Sequence, residues 1–339
     1  MRMPYNRLIL TVESHTQGEP TRLVVGGLIH VRGDSMREKQ RRAAQDLDWI
    51  RKSLMAEPRG HPDMYGGFIV APTTEDGDLG ILYMDNEGFM DMCGHGTIGL
   101  CTVVAQYGLV DRTDPRTEIR IDTPVGRVNG FALWEGDRVT RAGFENVPSF
   151  CSHVHEKIRL EGFGTVEVGI AYGGNYFGIL PAEKVGLDMH MDNMERIREV
   201  GLEVKRAINA QVDVRHPDIP EVAGVNIITF YGPPDHPGAT YKNVHMFSNG
   251  QVDRSPGGTG TSAVLAYFHA RGEFSQDGEA TVEGLAGGLF GGRFVKSWRE
   301  NGLVKHTPEI TGAAHIIGVN QYMLSSEDPM LEGILTRVK

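Results

Sequence analysis

Asp91-Met-Cys-Gly-His-Gly-Thr-Ile-Gly-Leu100 puts a thiol, Cys93, one residue ahead of a glycine-rich turn that opens an apolar run. The run continues to Tyr107 and stops at Gly108, so a helix over about 94–107 is predicted, with Gly108 as its C-terminal glycine. A helix N-terminus presents N–H groups without intrahelical acceptors and the positive end of the backbone dipole. It binds anions and favours the thiolate of a nearby cysteine. The chain repeats the device at Gly257-Gly-Thr-Gly-Thr-Ser-Ala263, which opens a second apolar helix to Arg271, stopped by Gly272. Cys93 lies 15 residues before Gly108, and Gly257 lies 15 before Gly272, so the two turns stand 164 residues apart. The second copy has glycine where the first has the thiol. Both helices are apolar nearly all round (Ile98, Leu100, Val103, Val104; Val264, Leu265, Tyr267, Phe268), as expected of buried helices.

Working outward, strands are predicted at Leu8–Ser14 and Arg22–Val31, with a polar turn at 15–20. Ser35 and Glu38 form a capping box, and the helix they start is expected to reach about Leu54. Short strands follow at Phe68–Ala71 and Leu79–Met84. Ile119–Thr123 and Arg127–Trp134 read as a hairpin around Pro-Val-Gly. Further strands are predicted at Arg138–Phe144, Val166–Tyr172, Tyr176–Leu180, Val225–Tyr231 and Tyr241–Phe247. Asp192 with Glu195 is predicted to cap a helix to about Ala210, 157 residues after its counterpart at Ser35. Beyond Gly272 the pattern reads as mostly short strands, ending at Gly318–Leu324 and an acidic turn. The duplicated spacing predicts two similar α/β halves, each wrapping strands around a central helix.

Composition narrows the function. The 339 residues are 40% hydrophobic and 23% charged, ordinary for a globular chain of one large or two medium domains. The formal charge is −10 with no basic stripe, which argues against a nucleic-acid partner. No apolar run approaches the ~18 residues of a membrane span, and Met1–Ser14 lacks a signal-peptide core. Three cysteines, Cys93, Cys101 and Cys151, fit a reducing cytoplasm better than a disulfide framework. The 44 glycines imply many tight turns or close backbone approaches.

Each motif also has an ordinary structural explanation. Gly94-His-Gly-Thr-Ile-Gly99 formally matches the dinucleotide fingerprint, but a polar loop, 85–91, separates it from the preceding strand. Cys93 is either an acid/base or a core cysteine; Cys101, along the same helix, is the better candidate for the core role. His95 is either structural or a substrate contact. Asp253 is either a turn cap or a carboxylate facing a cationic amine. No metal-ligand spacing appears, and His61 with Asp63 reads as loop hydrogen bonding.

The chain resembles the proline racemase family along nearly its whole length. The resemblance is carried by Ser14-His-Thr-Gln-Gly-Glu-Pro20, Met55-Ala-Glu-Pro-Arg-Gly-His-Pro-Asp-Met-Tyr-Gly66, Met92-Cys-Gly-His-Gly-Thr-Ile-Gly99, Tyr172-Gly-Gly174 and Gln251-Val-Asp-Arg-Ser-Pro256. It implies an α+β fold like that of diaminopimelate epimerase, with two pseudo-symmetric halves, a ligand cleft between them and no cofactor. The first half would be 1–125 plus about 310–339, and the second 126–309. By resemblance, Cys93 is one acid/base. Gly94, His95, Gly258 and Thr259 hold a substrate carboxylate, Asp253 binds the ring nitrogen, and Tyr65 and Phe247 lie over a proline ring. Family racemases carry a second cysteine right after Ser-Pro, and dehydratases commonly threonine; here it is Gly257.

Racemisation needs a proton removed from one face of Cα and another delivered to the opposite face, and glycine carries no titratable group. The hydroxyls of Ser255, Thr259 and Thr261 are poor bases. The expected activity is therefore a lyase, trans-3-hydroxy-L-proline dehydratase, with Cys93 as single base. The alternatives are an isomerase (proline racemase or 4-hydroxyproline 2-epimerase) that uses water or a hydroxyl as second acid, and a non-catalytic binder of proline-like ligands. The partners expected are a small proline or hydroxyproline substrate and a second copy in a homodimer.

Overall fold

The structure is a computed structural model that describes residues 6–28, 30–219, 222–247 and 250–334. In chain order it begins with β1 (Asn6–Thr16), β2 (Glu19–Gly26), α1 (Met36–Asp46), α2 (Asp48–Met55) and β3 (Gly66–Val70). Next come β4 (Leu79–Met84), β5 (Phe89–Met90), α3 (Gly94–Gln106), β6 (Arg116–Thr123), β7 (Gly126–Glu135) and β8 (Arg138–Glu145). The middle holds β9 (Ser149–Leu160), β10 (Gly164–Tyr172), β11 (Tyr176–Pro181), α4 (Met194–Gln211), β12 (Ile227–Gly232) and β13 (Tyr241–Met246). The chain ends with α5 (Gly258–Ala270), β14 (Glu279–Glu283), β15 (Leu289–Glu300), β16 (Leu303–Gly312) and β17 (Ala314–Ser325).

Two compact units result, Met1–Phe144 with Ala313–Lys339, and Glu145–Gly312. The first boundary falls after Phe144, not after residue 125. The reason is the β6–β7 hairpin, in register from Arg116↔Leu133 to Thr123↔Gly126: Gly130 of β7 faces Cys101 of α3, and Val128 and Ala132, on the same face of the strand, are buried with it.

The units repeat one construction. In the first, β17–β1 and β1–β2 are antiparallel, β2–β3 parallel, β3–β4 antiparallel, β4–β6 parallel and β6–β7 antiparallel. In the second, β9–β10 and β10–β11 are antiparallel, β11–β12 parallel, β12–β13 antiparallel, β13–β14 parallel and β14–β15 antiparallel. Each parallel step carries a helical crossover, as parallel pairing requires: α1 and α2, then α3, in one unit, and α4, then α5, in the other. In the second unit β15–β16 and β16–β9 pair antiparallel and close the strands into a ring. The central helices α3 and α5 are each 13 residues long, are buried along nearly their whole length, and pack on the strands of their own unit.

Local chemistry explains the ends of the elements. Gln17 and Gly18 turn the β1–β2 hairpin with φ of 51° and 97°. Ser35 Oγ accepts the Glu38 N–H at 3.2 Å and starts α1. The helix expected to reach 54 instead breaks at Leu47 (φ −124°, ψ 5°), which packs towards the apolar core beside Trp49, while Asp48 binds Arg51 and begins α2. Gly108 and Gly272 take φ of +66° and +75° after α3 and α5.

Other expectations need correction. The second strand ends at Gly26, five residues short of Val31, because Gly27 turns the chain away at φ +85°. Asp192 does not cap α4. It sits in a one-turn 3-10 helix, Met191–Asn193, where His190 Nδ1 accepts its N–H at 3.3 Å, and α4 follows from Met194. The C-terminal strands are long, with 12 residues in β15, 10 in β16 and 12 in β17. β9 is an additional strand, absent from the sequence-based expectation because its polar residues alternate on a half-exposed face and hide the apolar set.

Candidate active site

Cys93 is the N-cap of α3, in extended conformation (φ −145°, ψ 117°) and buried. Its carbonyl accepts the Thr97 N–H at 3.0 Å and the Thr97 hydroxyl at 2.6 Å, which fixes the first turn. The Thr97 hydroxyl also lies 2.7 Å from Tyr83 OH, and the Tyr83 ring packs under Gly96, where a Cβ would meet Cε1 at 3.1 Å. The Cys93 Sγ lies 3.5 Å from His95 Nδ1 and 3.7 Å from Nε2. His95 is buried; its carbonyl accepts the Thr16 hydroxyl at 2.9 Å, and the Tyr65 ring meets its imidazole edge-on at 4.8 Å. The first unit thus gathers Cys93, Gly94, His95 and Tyr65 around one helix terminus. A thiol, an imidazole and N–H groups aimed beyond the helix form a place for an anion and a proton acceptor.

In the second unit Gly257 is the N-cap of α5, at φ +68° and ψ 118°, a conformation that side chains rarely adopt. Its N–H donates to Ser255 Oγ at 3.1 Å, and its carbonyl accepts the Thr261 N–H at 2.9 Å. Asp253 is buried at this terminus: its N–H donates to the His245 carbonyl at 2.9 Å, and its Oδ1 accepts the Ser255 N–H at 2.8 Å. Gly258 and Thr259, also buried, form the first turn of α5. The glycine turn therefore opens α5 with a helix N-terminus, a backbone arrangement that can hold an anion, and the Asp253 carboxylate lies beside it. Phe247 lies just past β13, half-buried against the apolar cluster around α5, with its N–H donating to the Gln251 carbonyl at 2.8 Å.

The other thiols are different. Burial pushes both the Cys101 and the Cys151 pKa up to about 12, which leaves them as protonated, unreactive thiols. His61 Nδ1 accepts the Asp63 N–H at 3.3 Å, a bond within their loop. Among the described residues no group of three His, Cys, Asp or Glu side chains is arranged to hold a metal, and no helix is long and apolar enough to cross a membrane.

Sequence reasoning missed His245. It lies on β13, 1% exposed, with its ring wedged between Gly257 and Gly260. The available signal was a histidine at a buried position of the strand Tyr241-Lys-Asn-Val-His-Met246, two residues before Phe247. Tyr83, on the corresponding strand of the first unit, was missed for the same reason.

A family model described as proline racemase matches residues 11–335. A proline racemase from Clostridioides difficile is 38% identical over 99% of this chain and 100% of its own length. A trans-3-hydroxy-L-proline dehydratase from Burkholderia ambifaria is 36% identical over 99% of this chain and 100% of its own. The crystal structure of a hydroxyproline epimerase from Agrobacterium vitis with bound trans-4-hydroxy-L-proline matches with a TM-score of 0.88 at 26% identity, covering 98% of this chain and 96% of that one. The fold is the α+β, diaminopimelate-epimerase-like fold of two similarly built halves. Motifs, fold and full-length relatives agree, and the chain belongs to the proline racemase family.

Proposed function

We propose that this enzyme is a cofactor-independent trans-3-hydroxy-L-proline dehydratase with Cys93 as its single base. One observation carries the reading: the α3 terminus bears a thiol, and the repeated α5 terminus bears Gly257. In the proposed substrate the hydroxyl and carboxylate lie on opposite ring faces, so the Cα hydrogen shares a face with the hydroxyl. The Cys93 thiolate removes that proton, the Cα–Cβ double bond forms, and the C3–O bond breaks. The thiol then returns the proton to the departing hydroxide, giving water. The enamine left behind tautomerises to the cyclic imine Δ1-pyrroline-2-carboxylate. The N–H groups at Gly94 and His95 are assigned to the substrate carboxylate, whose negative charge grows in the carbanion-like transition state. Gly258 and Thr259 supply the same kind of donor from α5, Asp253 is assigned to the ring ammonium, and Tyr65 and Phe247 to the ring faces.

The test is imine formation from trans-3-hydroxy-L-proline, read with o-aminobenzaldehyde or a coupled reductase. Cys93→Ala is expected to lower turnover by on the order of 10²–10⁴-fold, the range for a positioned acid/base. No imine at high enzyme concentration, or a Cys93→Ala variant with intact turnover, overturns the reading. The relatives named for racemase and epimerase activity keep one rival in play. Optical rotation of L-proline and of 4-hydroxyproline decides it, since inversion of either requires a second acid.

A further inference from the structure

His245 occupies the space that a side chain on residue 257 would enter. A Cβ built on Gly257 would fall 2.6 Å from His245 Nε2 and closer still to Cδ2, and 3.2 Å from Asp253 Oδ2. On the other side of the ring, a Cβ on Gly260 would fall 2.6 Å from Nδ1. Both ring nitrogens are committed to the protein. Nε2 lies 2.8 Å from the Pro256 carbonyl, which only accepts, so Nε2 carries the hydrogen. Nδ1 then accepts from the Thr229 hydroxyl at 2.8 Å. Burial lowers the pKa of this imidazole against the opposing pull of Asp253, so the neutral ring is favoured.

The same bonds shape the turn. The Pro256 carbonyl is held by His245 Nε2 and by the Thr261 hydroxyl at 3.1 Å, and the Gly257 N–H by Ser255 Oγ, which leaves Gly257 at φ +68°. At the first unit's terminus the equivalent threonine, Thr97, donates its hydroxyl to the Cys93 carbonyl itself, and Cys93 sits at φ −145° with its side chain accommodated. One terminus is built to carry a side chain and the other to exclude it.

We propose that His245 is a positioning residue that closes position 257 to a second acid/base and so commits the enzyme to single-base chemistry. This rests on the reading of Cys93 as the only proton carrier. Replacing Gly257 alone does not recover a two-base enzyme, because the new thiol meets an imidazole and a backbone that disfavours it. Both residues must change.

The experiment compares wild type, His245→Val, Gly257→Cys and the double variant, with L-proline in D2O. Deuterium at Cα is read by NMR and inversion by chiral chromatography. The double variant is expected to invert L-proline on the order of 10²-fold faster than either single variant, the lower end of what a positioned acid/base contributes. A loss of packing alone does not create a new activity. Gly257→Cys inverting as fast as the double variant overturns the proposal. So does wild-type inversion that His245→Val abolishes, since His245 would then be an acid/base itself. If wild type inverts and His245→Val leaves inversion intact, the single-base reading fails, while the difference between the double variant and Gly257→Cys still judges the plug. Should the double variant not fold, 15N NMR of the wild-type imidazole decides the matter. A neutral ring with its hydrogen on Nε2 at pH 8, and a protonation midpoint below the ordinary 6.5, are expected, and an Nδ1–H ring or a midpoint above 6.5 refutes the plug.

Discussion

His306 lies flat on Phe294, ring centroids 3.9 Å apart and 11° from parallel, with Nδ1 2.7 Å from Ser297 Oγ and the His269 ring 4.6 Å away. Burial, then the neighbouring His269, push its pKa down from 6.5 to about 4. The folded value lies below the unfolded one, so as pH falls the unfolded chain takes up this proton first. The stability this group confers is complete above pH 6.5 and drains away as pH falls towards about 4. The urea midpoint is therefore expected to drop between pH 7 and pH 5, and to drop less in His306→Gln, whose amide does not titrate. Equal pH slopes for the two proteins would count against this assignment. The Cys93 thiol can be singled out from sequence because its helix-opening context is local. His306 and His245 gain their character from burial against neighbouring strands and turns that only the folded chain brings together, and no local pattern marks them.

At the scale of elements, a buried helix must approach the strands around it closely. In the second unit Gly169 of β10 faces Tyr267 of α5, and a Cβ there would meet the ring at 2.5 Å from Cδ2 and 2.8 Å from Cζ. The Tyr267 ring is itself 1% exposed, and its hydroxyl accepts from Arg271 at 2.7 Å. It has little room to retreat. Gly169→Ala is expected to cost about 1–3 kcal/mol, the usual cost of overpacking a dense core, with a lower urea midpoint and an unchanged m value. A neutral substitution would show that α5 can shift. The glycine turns, the Ser35 cap and the stop glycines of α3 and α5 are all legible in sequence, since each depends on one or two residues of backbone conformation. The break at Leu47 and the long strands β9 and β15–β17 are not. They follow from which face the core claims, and that is set by the partner strands.

For the whole molecule, the two units differ in how they are drawn from the chain. The second is continuous, Glu145–Gly312, and its strand ring closes on itself through β16 and β9 at Lys305↔Phe150 and His306↔Ser149. The first needs β17, which pairs with β1 from Asn6↔Ser325 to Thr16↔Ala314 and brings Leu324 to the core that holds Ile9. A fragment of residues 145–312 is expected to show native-like far-UV circular dichroism and one cooperative unfolding transition. Residues 1–144 alone, with the β1 edge unpaired, are expected not to. A fragment 145–312 that melts without cooperativity would refute the autonomy of the second unit.

The duplication, the two glycine-opened central helices, the family and the asymmetry of one thiol against one glycine are legible in the residues alone. All of these are written in short spacings and residue types that act through local backbone chemistry. Where one unit ends, the pairing order that repeats in both, and the imidazole that fills the space at position 257 emerge only when the chain folds. An imidazole carried by β13 reaches a turn twelve residues further on only because strand pairing and helix packing bring them together. A missing side chain can be read from the sequence; the group that fills its place is visible only once the strands are set in register.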